Sequence, residues 1–259
     1  MNGTVRLVPS VPEAFADLVA AEVAGAADRY TLLLSGGGTA AECYAELAAR
    51  SSASGLDWRG VDVFLGDERC VPPDDPDSNH RMIVTTLLDQ VGPVGSDHPM
   101  YVDGAPDRAA EAYSALLAGL SDLGLVHLGL GPDGHTASLF PGSGALDVTD
   151  PGRLVVANRD PHGVNPHDRL TLTYPGIARA RRVVVTVAGE SKRDAFARVA
   201  AGEDLPAGRL DGPDLLWLVD ADALGDLGHL VEAGSGAGDA GGSPVGDGTG
   251  APGPGPGGR

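Results

Sequence analysis

Three short polar segments of this chain combine residue types that do chemistry with a spacing that would hold them still. The longest is Gly129-Leu130-Gly131-Pro132-Asp133-Gly134-His135-Thr136-Ala137-Ser138-Leu139-Phe140-Pro141. An imidazole, with an ordinary pKa of about 6.5, suits general-base work near neutrality. His135 follows a glycine-rich turn at the end of an apolar run, where a ligand would sit. His127 falls inside that run and reads as a satisfied core residue, while His80, His98, His162, His167 and His229 lie in polar or loop contexts. The second segment is Gly66-Asp67-Glu68-Arg69. A carboxylate there can accept or relay a proton, and the planar fork of arginine can hold a phosphate or carboxylate. From spacing alone a solvated turn is the better reading, with Asp capping it and Glu pairing with Arg on the surface. The third, Ser35-Gly36-Gly37-Gly38-Thr39, stands between an apolar run and an Ala-rich stretch. Strand, glycines and helix make a phosphate cradle, with unpaired N–H groups at the helix start and a hydroxyl on Thr39. The loop matches neither the dinucleotide nor the P-loop pattern, and any tight turn uses glycine, so by itself it leaves anion binding and turn geometry open.

The elements that must position these groups are legible in the apolar pattern. Runs at Tyr30–Leu34, Val61–Leu65, Leu125–Leu130, Leu154–Ala157, Leu170–Thr173, Val183–Ala188 and Leu215–Val219 read as buried strands. Ala-rich amphipathic stretches at Glu13–Ala24, Ala40–Ala49, Ala109–Leu120 and Lys192–Ala201 read as connecting helices. This alternation predicts an α/β fold: a doubly wound, mostly parallel, Rossmann-like sheet with helices on both faces. Ligands of such sheets bind beyond the carboxyl ends of the strands, which is where the three polar segments fall. Residues 1–232 are expected to form a single domain. Residues 233–259, rich in glycine and proline with almost nothing apolar to bury, are expected to be a disordered tail.

Composition excludes several function classes. The 259 residues carry 36 acidic against 18 basic side chains, a formal net charge of -18. That balance repels polyanions and predicts no nucleic-acid partner and no affinity for acidic membranes, so any bound phosphate must be held locally. No apolar run is long enough to span a bilayer, and Met1 to Ser10 lacks the layout of a secretion signal, so a cytoplasmic protein is expected. Cys43 and Cys70 show neither a disulfide framework nor a metal-ligand spacing. A Cys70 nucleophile activated by Arg69 is a remote alternative, since no general-base partner is identifiable for it.

Taken together, the three segments resemble the 6-phosphogluconolactonase family, within the wider group that also contains glucosamine-6-phosphate deaminases. The resemblance spans roughly residues 5 to 225 and extends to Arg169-Leu170-Thr171-Leu172-Thr173, Gly189-Glu190-Ser191-Lys192, Leu205-Pro206-Ala207-Gly208 and Trp217-Leu218-Val219-Asp220, in the family's order. The deaminases typically carry Asp-Glu-Tyr and a His followed by Phe-Asn-Glu-Pro; Arg69 and the run after His135 depart from both. Gly38 and Ala40 stand where the family usually has a polar residue and proline. The resemblance implies hydrolysis of a phosphorylated sugar lactone with no metal or organic cofactor. It implies that His135 is the acid/base group, that Asp67 orients it or the water, and that Arg69 supplies positive charge near the substrate. Arg169 and Lys192, with the backbone of Gly36, Gly37, Gly38 and Thr39, would hold the phosphate. A sugar-phosphate deaminase or isomerase, or a silent sugar-phosphate binding module, would use the same loop. A monomer or a small homo-oligomer fits equally.

Overall fold

Strands without polar alternation must be covered on both faces, and every residue of Tyr30–Leu34, Val61–Leu65 and Leu215–Val219 is buried. The computed structural model describes residues 1–231, so the glycine-rich tail lies outside the described residues. In chain order the elements are β1 (Thr4–Leu7), α1 (Val11–Gly25), β2 (Tyr30–Leu34), α2 (Gly38–Ser54), β3 (Val61–Leu65) and β4 (Asp67–Arg69). Next come α3 (Asn79–Ile83), which runs through a π-helical turn at Val84–Leu88 into α4 (Asp89–Val91), then β5 (Ser96–Asp97), α5 (Pro106–Ala118) and β6 (Leu123–Gly129). The chain closes with β7 (Val155–Asn158), β8 (Arg169–Leu172), α6 (Tyr174–Ile177), β9 (Ala180–Val187), α7 (Arg193–Ala200), β10 (Leu215–Val219) and α8 (Ala221–Leu224).

Seven strands form one sheet in the order β1-β10-β9-β6-β2-β3-β5, with every pairing parallel. From β2 the chain steps outward to β3 and β5, then returns across β2 to β6 and continues the other way to β9 and β10. Right-handed crossovers therefore put α1 and α2 on one face and α5 and α7 on the other, and α1 and α2 pack together, with the rings of Phe15 and Tyr44 6.1 Å apart. The reversal falls between β2 and β6, so the loops leaving those two strands diverge and open a crevice. One contiguous apolar core runs from Val5 to Leu224. No helix of the described residues is long and apolar enough to cross a membrane.

Two expected strands sit elsewhere. Leu154–Ala157 and Leu170–Thr173 correspond to β7 and β8, which leave the main sheet and pair antiparallel with each other and with β4, in the order β4-β8-β7. Their apolar composition reports burial and says nothing of partner or direction. The decisive partner, β4, is three polar residues long and carries no strand pattern. The edge strands β1 and β5 escaped notice for the same reason, being short and partly exposed.

Candidate active site

Four neighbouring strands, β3, β2, β6 and β9, deliver their carboxyl-terminal loops to one cleft. It is lined by Gly36, Gly37, Gly38 and Thr39 after β2, Asp67 and Arg69 after β3, His135 after β6, and Lys192 after β9. Arg169, at the start of β8, closes it from the small sheet. All nine residues singled out in the sequence thus share one cavity, though they are scattered over more than 150 positions of chain.

His135 is held by a carboxylate that the sequence reading quoted but did not assign. Its Nδ1 lies 2.5 Å from Asp133 Oδ1, and the same oxygen accepts its backbone N–H at 3.1 Å. Asp133 loses solvation in the cleft, which pushes its pKa up, but the bonds and charge attraction from His135 outweigh this and hold it below the usual carboxylate range. An ionised Asp133 accepts the Nδ1 proton. That fixes the tautomer with a bare Nε2, which has no hydrogen bond among the described residues. The ring stands edge-on to Phe140, with centroids 5.1 Å apart, and lies against the backbone of Gly131. A Cβ at Gly131 would come within 2.2 Å of the imidazole, so only glycine allows this seat. Ala137, two residues on, carries the unusual φ of 48°, backbone strain of the kind that collects at working sites.

Asp67 lines the cleft but does not contact His135. Its Oδ2 accepts the Ser138 hydroxyl at 2.7 Å, and no bond joins it to His135. The carboxylate is buried against the cleft and ties the small sheet to the loop that carries His135. Glu68 makes no surface pair with Arg69. It is buried and accepts the backbone N–H groups of Arg69, Asn79 and His80 and the Ser78 hydroxyl, which anchors the start of α3. Desolvation raises its pKa more than these donors lower it. Asn79 then reaches back to donate to the Asp67 carbonyl at 2.9 Å and lines the cleft itself.

The cationic side of the cleft has an unmet partner. Arg69 and Arg169 are directly opposed across the antiparallel β4–β8 pair. Like charges in that position repel. Burial and then the Arg69 charge lower the pKa of Arg169, against attraction from Asp67 and Glu68. Arg69 donates to the Asp77 carbonyl at 2.6 Å, whereas Arg169 is 5% exposed and its Nη1 is buried with no hydrogen-bond partner. A buried guanidinium donor with no protein acceptor is available to water or to a ligand atom entering the cleft. Lys192 is half-buried, gives its ammonium to the Leu130 carbonyl at 2.8 Å, and has its pKa lowered by burial, against the opposing pull of Asp133. In the same cleft, α2 begins after its N-cap Gly37, whose φ of 105° suits glycine, and no side chain among the described residues caps it. As at any helix start, the first N–H groups of α2 have no intrahelical partner, and Gly38, Thr39 and Ala40 of that first turn line the cleft.

The thiols take no part in this arrangement. Burial pushes both Cys43 and Cys70 up to about 12, and Asp168 and Glu68 outweigh Arg169 at Cys70, the reverse of the activation imagined beside Arg69. His127 is a buried core histidine with both ring nitrogens bonded, as the sequence suggested. Among the described residues no three or more His, Cys, Asp or Glu gather as metal ligands would.

Comparison with known proteins finds relatives along most of the chain. A family model described as glucosamine-6-phosphate isomerases/6-phosphogluconolactonase matches residues 6–217. The 6-phosphogluconolactonase of Synechocystis sp. is 43% identical over 209 residues, covering 74% of this chain and 82% of that protein. The 6-phosphogluconolactonase of Mycobacterium tuberculosis is 39% identical over 213 residues, 76% of this chain and 84% of its own. The crystal structure of 6-phosphogluconolactonase from Thermotoga maritima superposes with a TM-score of 0.72 at 27% identity, over 85% of this chain and all of that one. The single polypeptide, the crevice at the sheet's reversal and the sequence match lead to one conclusion: this chain is a member of the glucosamine-6-phosphate isomerase/6-phosphogluconolactonase family.

Proposed function

We propose that the chain hydrolyses 6-phospho-D-glucono-1,5-lactone to 6-phospho-D-gluconate, the second step of the oxidative pentose phosphate pathway, as a carboxylic ester hydrolase of the cytoplasm. The observation that carries the reading is the Asp133–His135 pair, which leaves a basic Nε2 free in a cleft that also holds an unpaired arginine donor. Opening a δ-lactone requires a water proton to be removed as its oxygen attacks the carbonyl carbon. It then requires the tetrahedral oxyanion to be stabilised and the departing ring oxygen to be protonated. His135 Nε2 takes the water proton, Asp133 stabilises the imidazolium so formed, and the same proton passes to the ring oxygen as the C–O bond breaks. Protons balance over the cycle and no other reactant enters.

Arg169 and Lys192, with the α2 N-terminus at Gly36–Thr39, hold the 6-phosphate, and Arg69 adds positive charge beside them. In a chain of net charge -18, this local set is what draws in a dianion. Anchoring the phosphate presents the lactone carbonyl to His135 in register. The partner is accordingly a small phosphorylated sugar lactone.

The test is hydrolysis of freshly generated 6-phosphoglucono-δ-lactone beside unphosphorylated gluconolactone and glucosamine 6-phosphate, with spontaneous hydrolysis subtracted. Turnover of the phosphorylated lactone, reduced about a hundredfold or more in kcat by His135→Ala, is the expected result. Ammonia release from glucosamine 6-phosphate, or an unchanged kcat in the variant, would overturn it.

A further inference from the structure

Beneath the glycine loop lies a buried chain of hydrogen bonds that the mechanism above does not use. Tyr44 of α2 accepts the Ser35 N–H at 2.8 Å, its hydroxyl is 3.0 Å from the Ser35 carbonyl, and it lies 2.8 Å from His127 Nδ1. On the other side of the ring, His127 Nε2 is 2.9 Å from the hydroxyl of Thr186 on β9. Ser35 and Thr186 both line the cleft, so the chain starts and finishes at the substrate cavity.

Counting protons decides its direction. Tyr44 has one hydroxyl proton, and no other donor reaches the Ser35 carbonyl among the described residues. If that proton went to His127 Nδ1, the Ser35 carbonyl would be stranded, the costlier arrangement for a buried acceptor. Tyr44 therefore donates to Ser35, His127 carries its proton on Nδ1 and donates to Tyr44, and Nε2 is left as an acceptor. The Thr186 hydroxyl proton is then committed to Nε2. Thr186 lines the cleft while 2% exposed, and with its proton committed its hydroxyl oxygen can meet a ligand only as an acceptor. Gly129 stands opposite Thr186 in the β6–β9 register, so no neighbouring side chain on that strand covers it. Full burial keeps His127 neutral, with a pKa pushed down to about 3, so protonation does not erase this polarity near neutrality.

We infer that Thr186 is a specificity-determining residue whose hydroxyl oxygen accepts a hydrogen bond from a ring hydroxyl of the sugar, with His127 and Tyr44 as the residues that position it. The inference rests on the lactonase reading above and adds a contact to the part of the substrate that neither His135 nor the cations address. Recognition by a hydroxyl donor discriminates against a substrate that lacks it, because the acceptor is then left unpaired in the cleft.

The test compares the parent 6-phosphorylated lactone with its 2-, 3- and 4-deoxy forms on the unmodified chain, Thr186→Val and Thr186→Ser. The unmodified chain should disfavour one deoxy form by about tenfold in kcat/KM. Thr186→Val should lose that discrimination, with KM for the parent lactone raised more than kcat is lowered, and Thr186→Ser should restore it. The ¹⁵N spectrum of the unmodified protein should show His127 protonated at Nδ1, a reading that does not depend on any variant folding. Discrimination unchanged in Thr186→Val, or a proton on Nε2, overturns the inference alone. Absence of turnover of the parent lactone by the unmodified chain overturns the lactonase reading and this inference with it.

Discussion

Replacing Gly131 with alanine should damage the reaction without touching any reacting group. The added Cβ would lie 2.2 Å from both Nδ1 and Cε1 of His135, whereas ordinary non-bonded contact begins near 3.4 Å. The imidazole must therefore retreat by about 1.2 Å, as the backbone here is pinned by the Gly131 N–H to the His135 carbonyl at 2.8 Å. A displacement of about 1 Å at a reacting centre costs on the order of a hundredfold in rate. It also stretches the 2.5 Å bond to Asp133, a charge-assisted bond whose loss is worth about 1.5–3 kcal/mol. The expected result is a kcat lowered about a hundredfold, with KM for the phosphorylated lactone close to that of the unmodified chain, because the cations and the α2 N-terminus are undisturbed. The assay is steady-state hydrolysis with the spontaneous rate subtracted, run as a cycle with His135→Ala. Since the glycine acts through the imidazole, adding Gly131→Ala to His135→Ala should cost almost nothing further. A single variant within threefold of the unmodified kcat, or two changes that multiply, would refute the claim that this glycine exists to seat the histidine.

Asp133→Asn should lower kcat by about 10²–10⁴ with little change in KM, because the amide no longer fixes the tautomer or stabilises the imidazolium; equal rates would assign the orienting role elsewhere. Arg169→Gln should chiefly raise KM for the phosphorylated lactone and leave hydrolysis of unphosphorylated gluconolactone nearly unaltered, as initial rates on the two substrates would show. Between β7 and β8, burial alone would raise the Asp160 carboxyl, but the N–H groups of Asn165 and His162 and the Asn165 side chain outweigh it and hold it at about 2. A depressed carboxylate stabilises the fold above its ordinary value of 3.8 and loses that contribution as pH falls toward about 2. Acid unfolding followed by circular dichroism should therefore show Asp160→Asn less stable than the unmodified chain near neutrality, with the gap closing across that interval.

The central sheet was legible because its inner strands are mostly apolar runs without polar alternation, and burial on both faces leaves such runs few alternatives. The site was legible because its groups follow those runs directly: Ser35 to Thr39 after β2, Asp67 after β3, His135 after β6, Lys192 after β9. What stayed hidden depends on contacts between distant segments. Nothing local says that Asp67 pairs with Ser138, 71 positions away, or that β4 recruits β8 and β7 into a second sheet. The partner of His135 was visible two residues upstream in Asp133. An Asp two positions before a His, across a glycine turn, is the signal that would have found it. Glu68 misled for a physical reason as well: flanked by charges, it reads as exposed, yet it is buried because the start of α3, the Ser78 hydroxyl and the Arg69 N–H all donate to its carboxylate.

The small antiparallel sheet carries one part of the cationic set apart from the rest of the cleft. The Asp133–His135 pair, Lys192 and the α2 N-terminus follow strands of the parallel sheet, while Arg69 and Arg169 ride on β4 and β8, and the Asp67–Ser138 bond is a seam between the two sheets. A hairpin tolerates insertion and exchange at its tip far better than a central parallel strand does. Evolution or an engineer can therefore rewrite the β7–β8 connection to suit a different charged substituent while the Asp133–His135 pair is inherited intact. The seam sets the limit of that freedom, because a graft that lost Asp67 or Ser138 would leave anchor and base without a common ruler.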